Sequence, residues 1–451
     1  MCAVLKKFVF AVLLLFTVLL FGGCVAGSID ELYSLPQAQE KYKQLQALID
    51  SEIAKGSEYS APTAGVNRQS VQLVDIDADG SEEVLAFLKN SSAIPAVCVY
   101  KQTQGEYELA LTLVGEGASI GRVEYADLDG DGMLEIIVAW KLSNNMATVS
   151  AYSLSEWASV ALLSVNCTDF RVGDFGSADD LDSGSEVVVL NIAEDGGTVS
   201  VYVTDKMGEI DSLSVALSQS MTAADRFRIN YIDGDVPAIF VEGNYKDADE
   251  KICYLTDLLV LSDGKLKNIT LDPDTGDSIA VRGVQIYSQL IDGNSTMDVP
   301  FPELLYKQPK ITADYYAIDW FTFSADGERV LCASTYHSSR DDWFYVLPEE
   351  WREGFTVRAE PASSGERAVV LSTVDEESGE ITDRLTIFTF TDENRAGRAK
   401  LAGRFVILQS ETTIYAAQLM TENGRELSDS EKNEIISRFH IVASEWTTGA
   451  V

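Results

Sequence analysis

The chain has 451 residues, enough for two to three domains, and 46% of them are apolar. It carries 34 Lys and Arg against 71 Asp and Glu, a net charge of −37. The apolar content excludes a disordered acidic chain. The charge disfavours sequence-independent binding of nucleic acid, which needs clustered basic residues. The two histidines, His337 and His440, lie in no recognisable catalytic motif, so histidine-based catalysis is disfavoured as well.

Residues 1–23 have the pattern of a lipoprotein signal peptide. Lys6 and Lys7 precede an apolar run from Phe8 to Phe21, which is shorter than the roughly 20 residues that span a bilayer. The run ends in Leu-Leu-Phe-Gly-Gly-Cys24, which resembles a bacterial lipobox. The resemblance implies lipidation of Cys24 and anchoring on the outer face of the bacterial cell membrane. A plain signal peptide with a coincidental Cys, or an uncleaved anchor, would show the same pattern.

Residues 24–65 are predicted to hold the anchor and an N-terminal helix. Ser34 and Gln37 form a capping box, and one apolar face continues as far as Gly56. We expect this helix to pack on the domain that follows it rather than to enter the membrane.

Residues 66–340 contain a repeat of about 52 residues. Corresponding positions precede an apolar run in four copies, at Glu83, Glu135, Glu186 and Ala238, with spacings of 52, 51 and 52. We call these the anchor positions. A second series has spacings of 52, 50 and 52, at Tyr100, Tyr152, Tyr202 and Tyr254. A looser fifth copy holds Asp292, Asn294 and Asp298.

Each repeat is predicted to form four short strands, at about 70–77, 83–89, 96–103 and 107–114 in the first copy. The second strand is apolar without alternation, as expected of a strand buried on both faces. A unit of this kind cannot bury its sheet alone, and radial stacking of such units is the β-propeller solution. Five repeats close the ring by themselves, or flanking strands add a sixth blade.

Two loops between the first and second strands are acidic in a pattern typical of calcium sites. They carry D-x-D-x-D-G-x-x-E at Asp75, Asp77, Asp79 and Glu83, and at Asp127, Asp129, Asp131 and Glu135. Three carboxylates lie on one side of a tight turn, Gly permits the bend, and the final Glu closes an oxygen shell. A weaker third copy has Asp180, Asp182 and Glu186, with Ala178 in place of the first acid. The alternative is that these acids only form turns, since Asp-Gly is a common hairpin signal.

With these loops, residues 66–340 resemble the FG-GAP/VCBS family of bacterial and integrin-like β-propellers. The resemblance implies a mainly β fold of about five to six four-stranded blades with structural Ca²⁺ in two loops and, more weakly, in the third. No metal is expected in the fourth and fifth copies, which depart further from the motif.

Residues 341–451 lack the period and are predicted to form a small α+β C-terminal domain; alternatively, their first strands complete the propeller. A capping box at Ser428 and Glu431 begins a C-terminal helix. The aromatic residues from Trp343 to Trp351 are interpreted as core or domain seam rather than as a carbohydrate platform. Four cysteines outside the signal allow three disulfide pairings, although we favour buried thiols; they are Cys98, Cys167, Cys253 and Cys332.

The sequence therefore predicts a secreted, lipid-anchored protein with a calcium-stabilised β-propeller. The leading function is non-enzymatic binding of a protein or glycan at the cell surface, by analogy at the level of the fold. One alternative is an extracytoplasmic carbohydrate-active lyase or hydrolase on the same scaffold. Another is a structural envelope protein.

Overall fold

The structure is a computed structural model. It describes residues 40–154, 157–176, 184–193, 196–204, 209–360, 363–401, 403–420, 425 and 427–442. The signal peptide, Cys24 and the Ser34 capping box lie outside these residues. The protein is mainly β, with six antiparallel sheets that we number 1 to 6 in chain order.

The strands of sheets 1 to 3 follow one another along the chain, and each pairs with the next, except that β1 pairs with β3. Sheet 1 contains β1 (Glu58–Tyr59), β2 (Val71–Val74), β3 (Glu83–Lys89), β4 (Pro95–Thr103) and β5 (Glu106–Val114), with β1 and β2 both paired to β3. Sheet 2 contains β6 (Ser119–Ala126), β7 (Glu135–Lys141), β8 (Ala147–Ser153) and β9 (Val160–Cys167). Sheet 3 contains β10 (Asp169–Gly173), β11 (Glu186–Ala193), β12 (Gly196–Thr204) and β13 (Ile210–Ala216).

Sheets 4 to 6 each have five strands. Sheet 4 contains β14 (Ala223–Ile232), β15 (Val236–Lys246), β16 (Ile252–Ser262), β17 (Lys265–Asn268) and β18 (Val281–Arg282). Sheet 5 contains β19 (Val299–Leu304), β20 (Tyr316–Phe323), β21 (Arg329–Ser338), β22 (Trp343–Val346) and β28 (Phe439–Ile441). Sheet 6 contains β23 (Phe355–Ala359), β24 (Glu366–Val374), β25 (Ile381–Phe390), β26 (Phe405–Gln409) and β27 (Ile414–Leu419).

The sheets pack face to face in chain order, and the second strand of each repeat shows how. In β7, Ile136 and Val138 share a core with sheet 1, whereas Ile137 and Ala139 share one with sheet 3. Alternate residues of a strand point to opposite faces, so a strand covered on both sides must be apolar throughout. Further cores join sheet 3 to sheet 4, sheet 4 to sheet 5, and sheet 5 to sheet 6. The stack of four-stranded units is therefore propeller-like.

A helix covers the free face of sheet 1. Helix α1 (Glu40–Ala54) packs Leu45 and Ile49 against the apolar residues of β3 that face away from sheet 2. The helix is followed by Gly56, whose φ of +97° suits glycine, as expected from the sequence. Among the described residues, no core cluster joins sheet 1 to sheet 6.

The register confirms the anchor positions. Glu83, Glu135 and Glu186 each pair with the last residue of the preceding strand, and Ala238 pairs with Asn230 near the end of β14. The tyrosine series holds in three copies, where Tyr100, Tyr152 and Tyr202 each pair with the residue after the anchor. It fails in the fourth copy: Tyr254 pairs with Asn244, and the equivalent residue of the longer β16 is Leu259.

The C-terminal segment departs from the expected small α+β domain. Strands β22 and β28 both belong to sheet 5, so the boundary expected at residue 340 falls inside that sheet. The rest forms sheet 6 and three short helices: α2 (Glu349–Arg352), α3 (Arg395–Arg398) and α4 (Asp429–Ser437). The Ser428–Glu431 capping box is present, and α4 ends at Ser437. Trp343, Phe344 and Tyr345 are buried in core, as expected.

Within the described part of the chain, no helix has the length and apolar character needed to cross a membrane.

Candidate metal loops and a basic cavity

Both acidic loops turn at the glycine in their sixth position. Gly80 and Gly132 adopt φ values of +87° and +89°, which permit the sharp turn that the sixth position requires. Their N–H groups donate to the first acids, Asp75 and Asp127, at 3.0 and 2.9 Å. These backbone bonds hold the first carboxylate of each loop over the turn.

Three of the four predicted acids in each loop come together. Carboxylate oxygens lie within 4.8 Å of one another in two groups, Asp75, Asp77 and Glu83, and Asp127, Asp129 and Glu135. Asp79 and Asp131 are outside these groups and instead accept the N–H two residues further along. Oxygen-only donor sets of this kind fit a hard cation such as Ca²⁺.

The closing glutamates are the buried members of the loops. Glu83 and Glu135 are 2% and 1% exposed. Each accepts the N–H of the residue after the first Asp, Ile76 at 2.9 Å and Leu128 at 2.8 Å. Burial, and then repulsion from the neighbouring aspartates, raises the pKa of each to about 7. A bound cation would relieve both costs.

The third loop needs a correction. Glu186 is buried and accepts the Phe175 N–H at 3.0 Å, so it occupies the closing position as predicted. The first acid is Asp174, which directly follows the strand residue paired with Glu186, and not the position of Ala178. The sequence comparison missed it because this loop is four residues longer than that of sheet 2. Asp180 and Asp182 lie outside the described residues.

Among the described residues, the fourth copy forms no group of converging acids, since a short turn at Asp233 and Gly234 connects the strands and Ala238 replaces the closing acid. The fifth copy keeps the pairing register of the acidic loops more closely than its sequence suggested. Gln289 and Asp298 exchange two backbone hydrogen bonds, in the register in which Ala126 faces Glu135. Asp298 therefore stands where the other loops have glutamate.

Backbone hydrogen bonds join these loops from sheet to sheet. The residue before the closing acid donates its N–H to a carbonyl at or just beyond the end of the first strand of the preceding sheet. These bonds run from Leu134 to Ile76, from Ser185 to Asp127 and from Met297 to Tyr231, at 2.7–2.8 Å. The approach is close enough that a Cβ on Gly184 would lie 2.4 Å from the carbonyl carbon of Leu128. The acidic loops thus also connect the stacked sheets.

A basic cavity lies at the other end of the first strands. Its volume is about 430 Å³, and β6, β10, β14 and residues 64–66 contribute to its lining. Five of its lining residues are basic and two are acidic: Arg122, Lys141, Arg171, Arg226 and Arg228 against Asp169 and Asp225. The chain as a whole has about twice as many acids as bases. No local pattern in the sequence indicates this cluster, because Arg122, Arg171 and Arg226 are about 50 residues apart.

Contacts with neighbouring groups fix the arginines. Arg171 Nη1 donates to Asp169 at 2.7 Å and to the Phe170 carbonyl at 2.6 Å. Arg228 Nη2 donates to the fully buried Glu242 at 2.7 Å and to the Ser288 carbonyl at 2.9 Å. Because a guanidinium has five N–H donors, these bonds leave the other nitrogens of Arg171 and Arg228 available to an anion.

Arg226 and Arg122 complete the wall. The Arg226 guanidinium lies 4.1 Å from the centroid of the Tyr287 ring, a cation–π contact. Arg122 Nη1 donates to Glu124 at 3.3 Å. Arg122 and Arg226 are equivalent in the repeat, since each lies four residues before the partner of the anchor position.

A second, larger cavity of about 860 Å³ lies between sheets 5 and 6. His337 lines it, but its ring stacks on Phe344 and its Nε2 is 2.9 Å from the Thr335 hydroxyl. Burial lowers the pKa of His337, so the ring is neutral at pH 7. Asp341 is ion-paired with Arg367 in the same wall.

Comparison with known proteins gives no family assignment. No family model matches the chain, and no curated protein matches it. Among solved structures, a candidate 6-phosphogluconolactonase from Bacteroides fragilis shares 11% identity over 72% of this chain and 92% of its own, with a TM-score of 0.28. A hypothetical selenium-binding protein from Sulfolobus tokodaii shares 9% identity over 67% and 74%, also at 0.28. Both scores are low, so our description of the fold rests on the strand pairing.

The raised carboxyl pKa values predict how stability depends on pH without divalent metal. Glu83, Glu135 and Glu186 bind protons more tightly in the folded state, where their pKa is about 7, than at their ordinary value of 4.5. Their contribution to stability is therefore complete at low pH and is lost as the pH rises through about 7. In the presence of a chelator, we expect the urea concentration at the midpoint of unfolding to decrease as the pH is raised from about 5 to about 8.

The variant Glu135→Gln provides the control, because it removes one of the three titrating groups and should make this fall shallower. An unchanged slope in the variant, or a midpoint that rises over this range, would contradict the assignment.

Proposed function

We propose that this protein is an exported lipoprotein, anchored through Cys24 to the outer face of the bacterial membrane, whose stacked sheets act as a non-enzymatic binding module. The module is a propeller-like stack of six sheets, with calcium bound in the acidic loops. Its ligand carries carboxylate groups, as an acidic glycan or an acidic protein segment does. The observation that carries the proposal is the reversal of charge in the basic cavity.

That reversal is unusual in this chain. The chain has about twice as many acidic as basic residues, so an average part of its surface is expected to be acidic. The cavity lining instead has five basic side chains and two acidic ones. Its volume falls within the range of about 300–1,000 Å³ that is typical of small-molecule sites. Concave basic surfaces in low-dielectric walls concentrate anions. A carboxylate entering this cavity would exchange water for guanidinium donors.

The fixed arginines support recognition rather than chemistry. Arg171 and Arg228 are each held at one nitrogen by a carboxylate and a backbone carbonyl. Because these contacts already restrict the side chains, a ligand has less conformational entropy to remove. Arginine forks match carboxylates in a bidentate geometry.

Calcium has a structural role in the proposal. Three negative groups within 4.8 Å repel one another, and a cation would replace that repulsion by coordination. Because the loops are hydrogen-bonded from sheet to sheet, calcium in one loop would also stabilise its junction with the next. The third site would use Asp174 and Glu186.

Two alternatives remain as outcomes of the tests. A carbohydrate-active lyase or hydrolase would process the acidic glycan instead of only binding it. A structural envelope protein would bind none of the soluble ligands and would still need the calcium loops.

The calcium proposal predicts that Ca²⁺ raises the melting temperature by several degrees relative to chelator. Asp127→Asn should lose much of this rise, because Asp127 is in the acid group of sheet 2. Asp233→Asn, in the short turn of the fourth copy, is the matched control and should keep it. Equal melting temperatures with calcium and chelator would exclude the metal role.

The binding proposal predicts that an oligogalacturonate or a Glu-rich peptide binds more tightly than a neutral oligosaccharide in calorimetry at low salt. Arg171→Gln should weaken binding about 10-fold or more, since hydrogen bonds to charged groups contribute roughly 1.5–3 kcal/mol. Lys141→Gln tests the same wall without breaking a described ion pair, and Arg395→Gln in helix α3, away from the cavity lining, is the control.

Equal binding of neutral and acidic probes, or no effect of either cavity variant, would contradict the binding proposal. Release of cleaved glycan in the same mixture would favour the enzyme.

The anchoring proposal predicts that Cys24→Ser moves the protein from the membrane fraction to the soluble extracytoplasmic fraction. Fractionation and mass spectrometry of the N-terminal peptide measure this. Retention and processing that do not change in the variant would rule out the lipid anchor.

A further inference from the structure

Asp298 differs from the closing acids of the other loops in its hydrogen bonding. It is 0% exposed, and neither of its carboxylate oxygens accepts a hydrogen bond among the described residues. In the other loops, the equivalent glutamate accepts the N–H of the residue after the first acid. Ile291 stands in that place here, but aspartate is one methylene shorter and forms no such bond of ordinary geometry. The Cys332 thiol and the Ile291 N–H lie close enough to offset part of the rise in the pKa of Asp298 that burial causes, but neither makes a hydrogen bond of ordinary geometry with it. A fully buried carboxylate with only such weak contacts is costly unless a cation balances it.

A cysteine on β21, two strands away from β19 in sheet 5, lies beside this carboxylate. Trp320 pairs with Ala333, and Phe321 pairs with Leu331, so Cys332 is the extra residue of a β-bulge. Bulges redirect a side chain out of the regular alternation and are common beside functional sites. The Cys332 thiol is free, half-buried, and donates to the Trp320 carbonyl at 3.0 Å.

The third member of the group is Asp292, in the loop before β19. One oxygen each from Asp292 and Asp298 and the sulfur of Cys332 lie within 4.8 Å of one another. Asp292 is exposed and is held by the N–H and side-chain amide of Asn294, at 3.1 and 2.7 Å. The group therefore opens to solvent on one side, through which an ion can enter.

We infer that Asp292, Asp298 and Cys332 form a binding site for a borderline-soft divalent cation of the zinc type, chemically distinct from the oxygen-only loops. Calcium and magnesium take oxygen ligands, whereas a thiolate beside carboxylates suits Zn²⁺. Three protein ligands leave a fourth position of a tetrahedral shell to water. The site does not depend on the basic cavity or on calcium in the other loops.

Binding requires the thiol to lose its proton. The incoming Zn²⁺ forms a bond to the Cys332 sulfur, the S–H bond breaks, and the proton leaves to solvent. No electron is transferred. The hydrogen bond from Cys332 to the Trp320 carbonyl is given up, and the new metal–sulfur bond replaces it.

The test uses the full chain with calcium in excess, so that the oxygen-only loops are saturated. Titration with Zn²⁺, and separately with Co²⁺, should show one tight site, and Co²⁺ should give a thiolate-to-metal charge-transfer band. Cys332→Ser should abolish the band and weaken Zn²⁺ binding at least about 100-fold, while Asp298→Asn should weaken it about 10-fold or more.

Cys253→Ser is the matched control. Cys253 is also a free, half-buried strand cysteine, and its sulfur lies 3.9 Å from a single carboxylate, Asp247. This variant should keep both the band and the affinity. The inference is overturned if no band appears, if Cys332→Ser binds Zn²⁺ as tightly as the natural chain, or if Cys253→Ser removes the band. Asp298→Asn keeps the test decisive if Cys332→Ser does not fold.

Discussion

Burial of the second strand on both faces is the constraint on which the rest of the structure depends. A sheet with such a strand at its centre exposes an apolar face until another element covers it. Sheets 2 to 5 each meet this need with the sheets on either side, and sheet 1 meets it with a neighbour and helix α1. Stacking then places equivalent positions of successive repeats side by side. The row of acidic loops and the cluster of arginines both result from this stacking of equivalent positions.

Much of the first four sheets could be predicted from the sequence, because the repeat and the apolar pattern within each repeat agree. The period of about 52 residues locates the repeats, and the non-alternating run after Glu83 or Glu135 identifies the doubly covered strand. Burial on both faces allows little slippage of register, so the anchor residues pair as expected. The C-terminal segment has no such period, and the return of β28 to pair with β22 closes a loop of more than 90 residues without a local signal.

The candidate sites also fall into two groups, those formed by residues close in sequence and those formed by residues far apart. Acids within one loop are close in sequence, so their spacing predicts their geometry. Asp174 could not be identified from spacing, because a longer loop separates it from Glu186. Only the strand pairing shows that it occupies the position of the first acid. Arg122, Arg171 and Arg228 meet because their sheets stack, which no local pattern encodes. Cys332 reaches Asp298 through a bulge, and a one-residue irregularity of register has no signature in composition.

The first strands carry opposite charges at their two ends. On β10, Arg171 lines the cavity and Asp174 begins an acidic loop three residues later, a separation of roughly 10 Å. Sheet 2 repeats this order with Arg122 and Asp127, so the small dipoles add along the stack. In sheets 2 and 3, the first strand therefore has a basic side chain at the cavity end and an acidic one at the loop end. An approaching anion would be repelled at one end and guided to the other, and the occupancy of the acidic loops by cations would adjust the strength of that field.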